Sequence, residues 1–305
     1  MKPAAFEYVA PRTLDEALGR LADLGADARP LAGGQSLVPL LNMRLVRPAA
    51  IVDLNRIPAL FEVRAVDSEL RLGAMVRHRT LERHPAIRAR APLLADAAAQ
   101  VGHVQIRTRG TLGGSLAHAD PAAELPAAAV ALDARCVLRG PHGERTVPAA
   151  EFVVGPLATI LEPGELLVEV RVPPLPSGTG WAFVELARRH GDFAIVGAAA
   201  LIHLDADGRI DLARLALCGV GGVPHAASWV GDVLRGARPD PQTFRHVAAR
   251  VRDEVEPDDD IHAGAAYRKA IAGVLSARAL QDAAERARDA AQAGDPGTNG
   301  AEATC

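Results

Sequence analysis

Two short stretches hold the residues best suited to touch a charged ligand. In AGGQSL, Gly33 and Gly34 lead into Gln35 and Ser36; in TLGGSL, Gly113 and Gly114 follow Thr111 and precede Ser115. Glycine lacks a Cβ, so its backbone N–H can meet a ligand that a larger residue would hold off. Neighbouring hydroxyl and amide side chains add donors, and a helix start leaves its first N–H groups unpaired and partly positive. Such a surface suits an anion, and two of them facing one another suit a diphosphate. One glycine pair alone reads more simply as a turn; the repeated order of glycines, hydroxyls and an apolar helical run favours the ligand. Other phosphate motifs are missing: there is no GxxxxGK[ST], and no GxGxxG follows a strand.

The elements that must carry these loops are legible from pattern. Thr13 reads as an N-cap with Glu16 completing a capping box, Leu14, Ala17, Leu18 and Leu21 recur at helical spacing, and Gly25 ends the helix. ARPLAGG is a short strand running into the first glycine pair, SLVPLLNMRL a helix after it, and AAIVDL (49–54) a strand. ELRLGAMV, RCVLRG and ELLVEVRVP read as strands, and TLERHPAIRARAPLLADAAAQV as one or two helices broken at Pro85 and Pro92. The Pro- and Gly-rich PPLPSGTG (173–180) is the best linker. Beyond it, GWAFVELARR, AIVGAAALIHLD and RLALCGVGG are strands, followed by helices in PQTFRHVAARVRDEV and AAYRKAIAGVLSARALQDAAERA, an α+β order. The expected organisation is a domain over 1–176 in two lobes (about 1–58 and 59–176), a second domain over 177–285, and a disordered tail over 286–305.

Composition narrows the function. The 305 residues give ample core, and a net charge of −3 argues against nucleic acid or an anionic membrane as partner. Three scattered cysteines with no CxxC point to a reduced, cytoplasmic chain without a disulfide framework, zinc or iron–sulfur site of its own. The N-terminus lacks the apolar core of a signal peptide, and no apolar run reaches the roughly 20 residues of a membrane span, so no integral membrane segment is expected.

AGGQSLVPLLNMRLVRPAAIVDLNRI, TLGGSLAHADPAAELPA, LEPGELLVEVRVP and FVELARRHGDFAIVGAAA, taken in order, resemble the FAD-binding medium subunit of the molybdenum hydroxylases, the xanthine dehydrogenase and aerobic carbon monoxide dehydrogenase type. The resemblance runs from about Phe6 to about Leu280. It implies an α+β fold: a two-lobed FAD-binding domain of the vanillyl-alcohol oxidase type, then a C-terminal α+β domain. The cofactor would lie between the lobes and that domain. Its diphosphate would sit on Leu31, Ala32, Gly33, Gly34, Gln35, Ser36 and Leu37 and on Thr111, Gly113, Gly114 and Ser115. Glu124, where relatives mostly carry Asp, would approach the adenosine side; relatives often carry Asn where Ser115 stands. Val101 and Leu167 would line the cofactor, with Asp192 and Phe193 near the isoalloxazine ring. Asp120 is both a possible ligand and, before Pro121, an N-cap pattern, the capping role being favoured.

The resemblance also implies partners: a large subunit carrying the molybdenum cofactor and a small one carrying two [2Fe–2S] clusters, in a heterohexamer of two copies each. This chain would take electrons from the clusters and pass them through FAD to an external acceptor, having no catalytic residue or metal of its own. That fits the absence of a nucleophile–base pair or metal-ligand cluster in the sequence. Two rivals are a stand-alone FAD oxidoreductase on the same fold and a non-enzymatic nucleotide-binding or assembly module. A hydroxybenzoyl-CoA reductase subtype is set aside, because its extra cysteine-rich insertion is missing. His118 and His190 read as structural, Arg188 and Arg189 as a charged strand end, EPDDD (256–260) as a solvated loop, and Tyr267 and Arg268 as packing for the second domain.

Overall fold

The computed structural model describes residues 1–293. The chain opens with β1 (Glu7–Val9), α1 (Leu14–Leu24), β2 (Ala28–Leu31), α2 (Leu37–Asn42) and β3 (Ala50–Asp53). The Thr13 hydroxyl accepts from the Glu16 N–H at 3.2 Å, and the Glu16 carboxylate accepts from the Arg12 N–H at 2.9 Å, so the box closes one residue earlier than usual. Gly25, at φ 64°, ends α1. Ala17, Leu18 and Leu21 face inward, forming a core with Ala28, Ala50 and Val52. The three strands are parallel in the order β1-β3-β2. Their C-terminal ends therefore share one edge, where ligands commonly bind in open parallel sheets. The first glycine pair leaves β2 at that edge.

The second lobe contains β4 (Val63–Val66), β5 (Glu69–Gly73), α3 (His78–Arg83), α4 (Pro85–Arg90), α5 (Pro92–Gln100), α6 (Val104–Arg109), α7 (Leu112–His118), α8 (Glu124–Ala131), β6 (Arg135–Gly140), β7 (Gly143–Pro148), α9 (Ala149–Phe152), β8 (Val153–Gly155), β9 (Ala158–Thr159) and β10 (Leu166–Val172). Its main sheet is antiparallel, in the order β4-β5-β10-β6-β7. Three helices over 78–100 replace the one or two expected over 80–101. Pro85 and Pro92 each begin a new helix, and the residues before them, His84 (ψ 126°) and Ala91 (ψ 56°), leave the helical region as a following proline requires.

The C-terminal part contains β11 (Gly180–Ala187), β12 (Ala194–Leu204), β13 (Ile210–Cys218), β14 (His225–Ala226), α10 (Val230–Leu234), α11 (Pro241–Glu254) and α12 (Ala265–Ala293), its sheet ordered β11-β12-β13-β14. Residues Ala194 to Ile202 are all buried, because α12 and α8 both pack against β12. A Cβ on Gly180 would overlap the Ala283 carbonyl oxygen, so the missing side chain lets α12 lie directly on β11. Helix α12 continues through Ala293, correcting the expectation of a disordered tail from 286; residues 294–305 lie outside the described residues. Arg268 packs this domain as expected. It is buried, and donates to the Ile195 and Gly219 carbonyls at 2.5 and 3.0 Å and to Asp260 at 2.6 Å. The acidic run is correspondingly not merely solvated: Asp259 and Asp260 both accept hydrogen bonds.

Candidate functional site

The two glycine loops meet. A Cβ on Gly33 would overlap the Arg109 carbonyl oxygen and lie 2.8 Å from the Gly110 Cα, and one on Gly114 would lie 3.4 Å from the Ala32 Cβ. Gly33 is therefore required by loop-to-loop contact, rather than by the ligand approach expected of it. Gly34 is required by backbone, at φ 76°. The first loop is open: among the described residues, no N–H from Gly33 to Leu37 donates to a protein acceptor, and the Ser36 hydroxyl has no cap bond. Gln35 turns back, its amide donating to the Gly33 carbonyl at 3.0 Å.

The second loop differs from the expectation. Gly113 and Gly114 lie inside the first turn of α7, with Thr111 as N-cap. Its backbone donors are taken. Leu112 N–H goes to Val76 O at 2.9 Å, Gly113 N–H to Ala74 O at 2.7 Å, Gly114 N–H to the Thr111 hydroxyl at 3.0 Å, and Ser115 N–H to Thr111 O at 3.0 Å. Thr111 and Gly113 are buried, while Gly114 and Ser115 are half-buried. The expected second cradle of free N–H groups is thus corrected to a wall that offers the Ser115 hydroxyl.

A polar strut joins the loops. Asn55 donates to the Ala32 carbonyl at 2.8 Å and accepts from Arg77 at 2.5 Å, while Arg77 also donates to the Arg109 carbonyl. Arg77 stacks 5.3 Å over the Phe61 ring. Behind the second loop, His78 is buried, with Nε2 2.9 Å from the Thr111 carbonyl and Nδ1 without a partner. Burial holds its pKa down at about 4; the Thr111 carbonyl opposes this, and Arg107 and Arg77 reinforce it. A neutral imidazole donating from Nε2 fits that site.

The remaining predicted residues fall in three places. Asp120 caps a turn and not the helix: its carboxylate accepts from the Ala122 N–H at 2.9 Å, while α8 begins at Glu124 with Ala123 as N-cap. Val101 ends α5, and the following Gly102 and His103 abut Gly191, in the loop that carries exposed Asp192 and Phe193. Arg188, Arg189, Asp192, Phe193 and His262 line a pocket there. Leu167 is buried in the second-lobe core, opposite Leu138. Its connection to the site is indirect: Val168 O accepts from Ala74 N–H at 2.9 Å, and Ala74 O from Gly113 N–H.

Sequence reasoning missed Glu185 and the strut. Glu124 is 6% exposed, and burial raises its pKa to about 7, its own backbone N–H opposing and Asp120 adding. Glu185, on β11, rises to about 8 through burial and then the charge of Glu124, and its Oε2 is enclosed without a hydrogen-bond partner. Cys218 lies with them, its thiol pushed well above the ordinary range by burial and by both glutamates. The only sequence signal for Glu185 was a carboxylate inside an otherwise apolar strand pattern.

Residues 4–175 match the model of the FAD binding domain in molybdopterin dehydrogenase, and residues 181–283 that of the CO dehydrogenase flavoprotein C-terminal domain. The chain belongs to the FAD-binding medium subunits of the molybdenum hydroxylases. This medium subunit is 43% identical over 288 residues to the 6-hydroxypseudooxynicotine dehydrogenase complex subunit alpha of Paenarthrobacter nicotinovorans, covering 94% of this chain and 97% of that one. It is 43% identical over 287 residues to the caffeine dehydrogenase subunit beta of a Pseudomonas strain, with 94% and 97% covered. Among solved structures, carbon monoxide dehydrogenase from Hydrogenophaga pseudoflava matches with a TM-score of 0.91 at 40% identity, over 94% of this chain and 99% of that one. The FAD-binding domain followed by a C-terminal domain, and an oxidoreductase-subunit role with FAD as cofactor, follow from membership. The residues present fit that cofactor. An open run of N–H groups suits a diphosphate, and an enclosed, unpartnered carboxyl oxygen suits a hydroxyl donor. Among the described residues no helix is long and apolar enough to cross a membrane.

Proposed function

We propose that this medium subunit holds FAD between its loops and relays electrons from [2Fe–2S] clusters in a small partner subunit to an external acceptor. In this reading a large partner carries the molybdenum cofactor and oxidises the substrate, and the assembly is a heterohexamer of two copies of each chain in the cytoplasm. The observation that carries the reading is the unpaired N–H series from Gly33 to Leu37 at the C-terminal edge of a parallel sheet.

The diphosphate is assigned to Leu31–Leu37, with Ser115 donating from the facing wall formed by Thr111, Gly113 and Gly114. Glu124 and Asp120 lie on the adenosine side. Val101, Asp192 and Phe193 border the ring, and Leu167 supports the wall from behind. The bound flavin supplies the redox chemistry, accepting electrons singly and releasing them singly or in pairs. The chain's own residues bind and orient it: free N–H groups offset the diphosphate charge, the Asn55–Arg77 strut fixes the gap between the loops, and the Gly102–Gly191 contact closes the ring end. The proposed boundaries are a 1–176 FAD-binding domain in two lobes and a 177–285 C-terminal domain.

The substrate is left to the large subunit, since relatives of similar identity are named for a nicotine derivative, caffeine and carbon monoxide. The test is purification of the chain with and without the proteins it is produced with. The expected result is bound flavin in both samples, flavin reduction by substrate only in the complex, and two co-purifying chains, one with iron–sulfur absorbance. Substrate turnover by the isolated chain would overturn the relay in favour of a stand-alone flavoprotein.

A further inference from the structure

The three parallel strands converge on one buried carboxylate. Asp53 is the last residue of β3, the central strand, and is 8% exposed. One of its oxygens accepts from the Tyr8 hydroxyl of β1 at 2.5 Å. The other accepts from the Asn55 backbone N–H at 2.9 Å and also from the Asn55 side-chain amide. All three donors are uncharged. Burial works to raise the Asp53 pKa, but the hydrogen bonds from Tyr8 and Asn55, with the charge of Arg56, hold it below its ordinary value.

The carboxylate fixes Asn55, and Asn55 fixes the first glycine loop. The Asn55 amide cannot turn over: its nitrogen faces the Asp53 carboxylate and the Ala32 carbonyl, the latter at 2.8 Å, and its oxygen accepts from Arg77 at 2.5 Å. In a planar trans peptide the C=O and the N–H point in opposite directions. Asn55 holds the Ala32 carbonyl, so the N–H of that same peptide, on Gly33, is aimed away from Asn55. Gln35 acts likewise on the next peptide. Its amide holds the Gly33 carbonyl at 3.0 Å, which aims the Gly34 N–H away from the Gln35 side chain. Among the described residues, neither N–H donates to a protein acceptor. Glycine peptides rotate more freely than any others. Here two in succession are each gripped at the carbonyl end and left open at the N–H end.

We propose that Asp53 is a positioning residue for the flavin diphosphate: through Asn55 it presets the direction of the Gly33 N–H, while Gln35 presets that of Gly34 instead of reaching the ligand itself. This rests on the diphosphate assignment above. Peptides free to rotate must be ordered when the ligand binds, and that ordering subtracts from affinity; clamping them beforehand removes the cost. Tyr8 extends the chain of bonds to β1, so all three strands bear on the direction of one donor. Asp53 itself touches no ligand in this role, and its negative charge at the same edge opposes an anion. The positioning effect and the charge effect therefore have opposite signs.

The test is the flavin affinity of the full chain, stripped of FAD and titrated by fluorescence quenching well below its melting temperature. On charge alone, removing a carboxylate near a diphosphate would tighten binding. Asp53→Ala should instead raise the Kd about tenfold or more, the worth of a well-aimed hydrogen bond to a charged oxygen. Asp53→Asn, whose amide oxygen can still accept from Asn55, should recover most of the loss. In phosphorus NMR spectra of the bound flavin, Asp53→Ala should move the diphosphate signals toward those of free FAD, with the visible absorption of the isoalloxazine ring unchanged. If Asp53→Ala does not fold, Asn55→Ala, which leaves the carboxylate in place, should show the same weakening and the same phosphorus shift. Affinity equal to wild type or tighter in the folded variant, or equal losses in Asp53→Ala and Asp53→Asn, would overturn the positioning role alone. Wild-type diphosphate signals identical to those of free FAD would overturn the flavin assignment, and the positioning role with it.

Discussion

The two glycine loops look like copies in sequence and differ in what their backbones have left to give. From Gly33 to Leu37 the N–H groups point at no protein acceptor, whereas from Leu112 to Ser115 every one is bonded within the chain. The glycines differ as well. Gly33 and Gly113 are forced by neighbours, the Arg109 carbonyl and Ala74 respectively, and Gly34 by its φ of 76°. A repeated motif thus yields one surface that can bind and one that holds it in place. The second loop commits its donors to Val76 and Ala74, just past β5, and to its own Thr111, and so fixes the distance across which the first must reach.

Substitutions can separate these roles, and Gly33→Val should have the largest effect. Its side chain must displace backbone of the second loop, so purified protein should contain almost no flavin and should melt well below wild type, since overpacking of this kind costs ~1–3 kcal/mol or more. Retention of full flavin would mean that the loops need not touch. Acid should weaken the second loop in particular. His78 is held neutral with its pKa near 4 against an ordinary 6.5, so the stability it contributes is complete above pH 6.5 and lost as pH falls toward 4. The loss amounts to about 3 kcal/mol at 1.36 kcal/mol per pKa unit. Denaturant melts of wild type and His78→Gln across that range should converge at low pH; parallel curves would show that His78 is not the group titrating.

Ser115→Ala should weaken flavin binding by about 1.5–3 kcal/mol if its hydroxyl donates to a charged oxygen, with stability unchanged. Thr111→Ala should do the opposite, costing about 1 kcal/mol of stability through its cap while sparing affinity. If fluorescence titration and thermal melts gave the same pattern for both, the division between a binding loop and a bracing loop would fail.

Sequence carried the local signals well. The Thr13–Glu16 cap, the Gly25 stop, the strand entering the first glycine pair and the sheet beyond residue 180 are all set by residues close together in the chain. The resemblance supplied the family and cofactor, but not the state of the backbone donors. That state depends on Val76 and Ala74, about 40 residues before the loop they tie down, and no periodicity records such a pairing. The Asn55–Arg77 strut and the enclosure of Glu185 are hidden for the same reason. Arg77 has the pattern of a solvent-facing arginine, and Glu185 that of an outward strand position, until the third dimension encloses them. The short β1 and β4 were missed because strands of three or four residues carry too little alternation to stand out.

The corner between α7 and α8 is stitched on two sides, Leu157 N–H to Ala119 O at 2.9 Å and Gly219 N–H to Pro121 O at 2.8 Å. One stitch reaches the strand pair β8–β9, the other the turn after β13, so the corner cannot swing as a jaw. In the proposed seating of the flavin, this corner gives it one fixed wall. The flavin's residence time should then rise and fall with the mechanical firmness of this knot, independently of how tightly it is gripped at equilibrium.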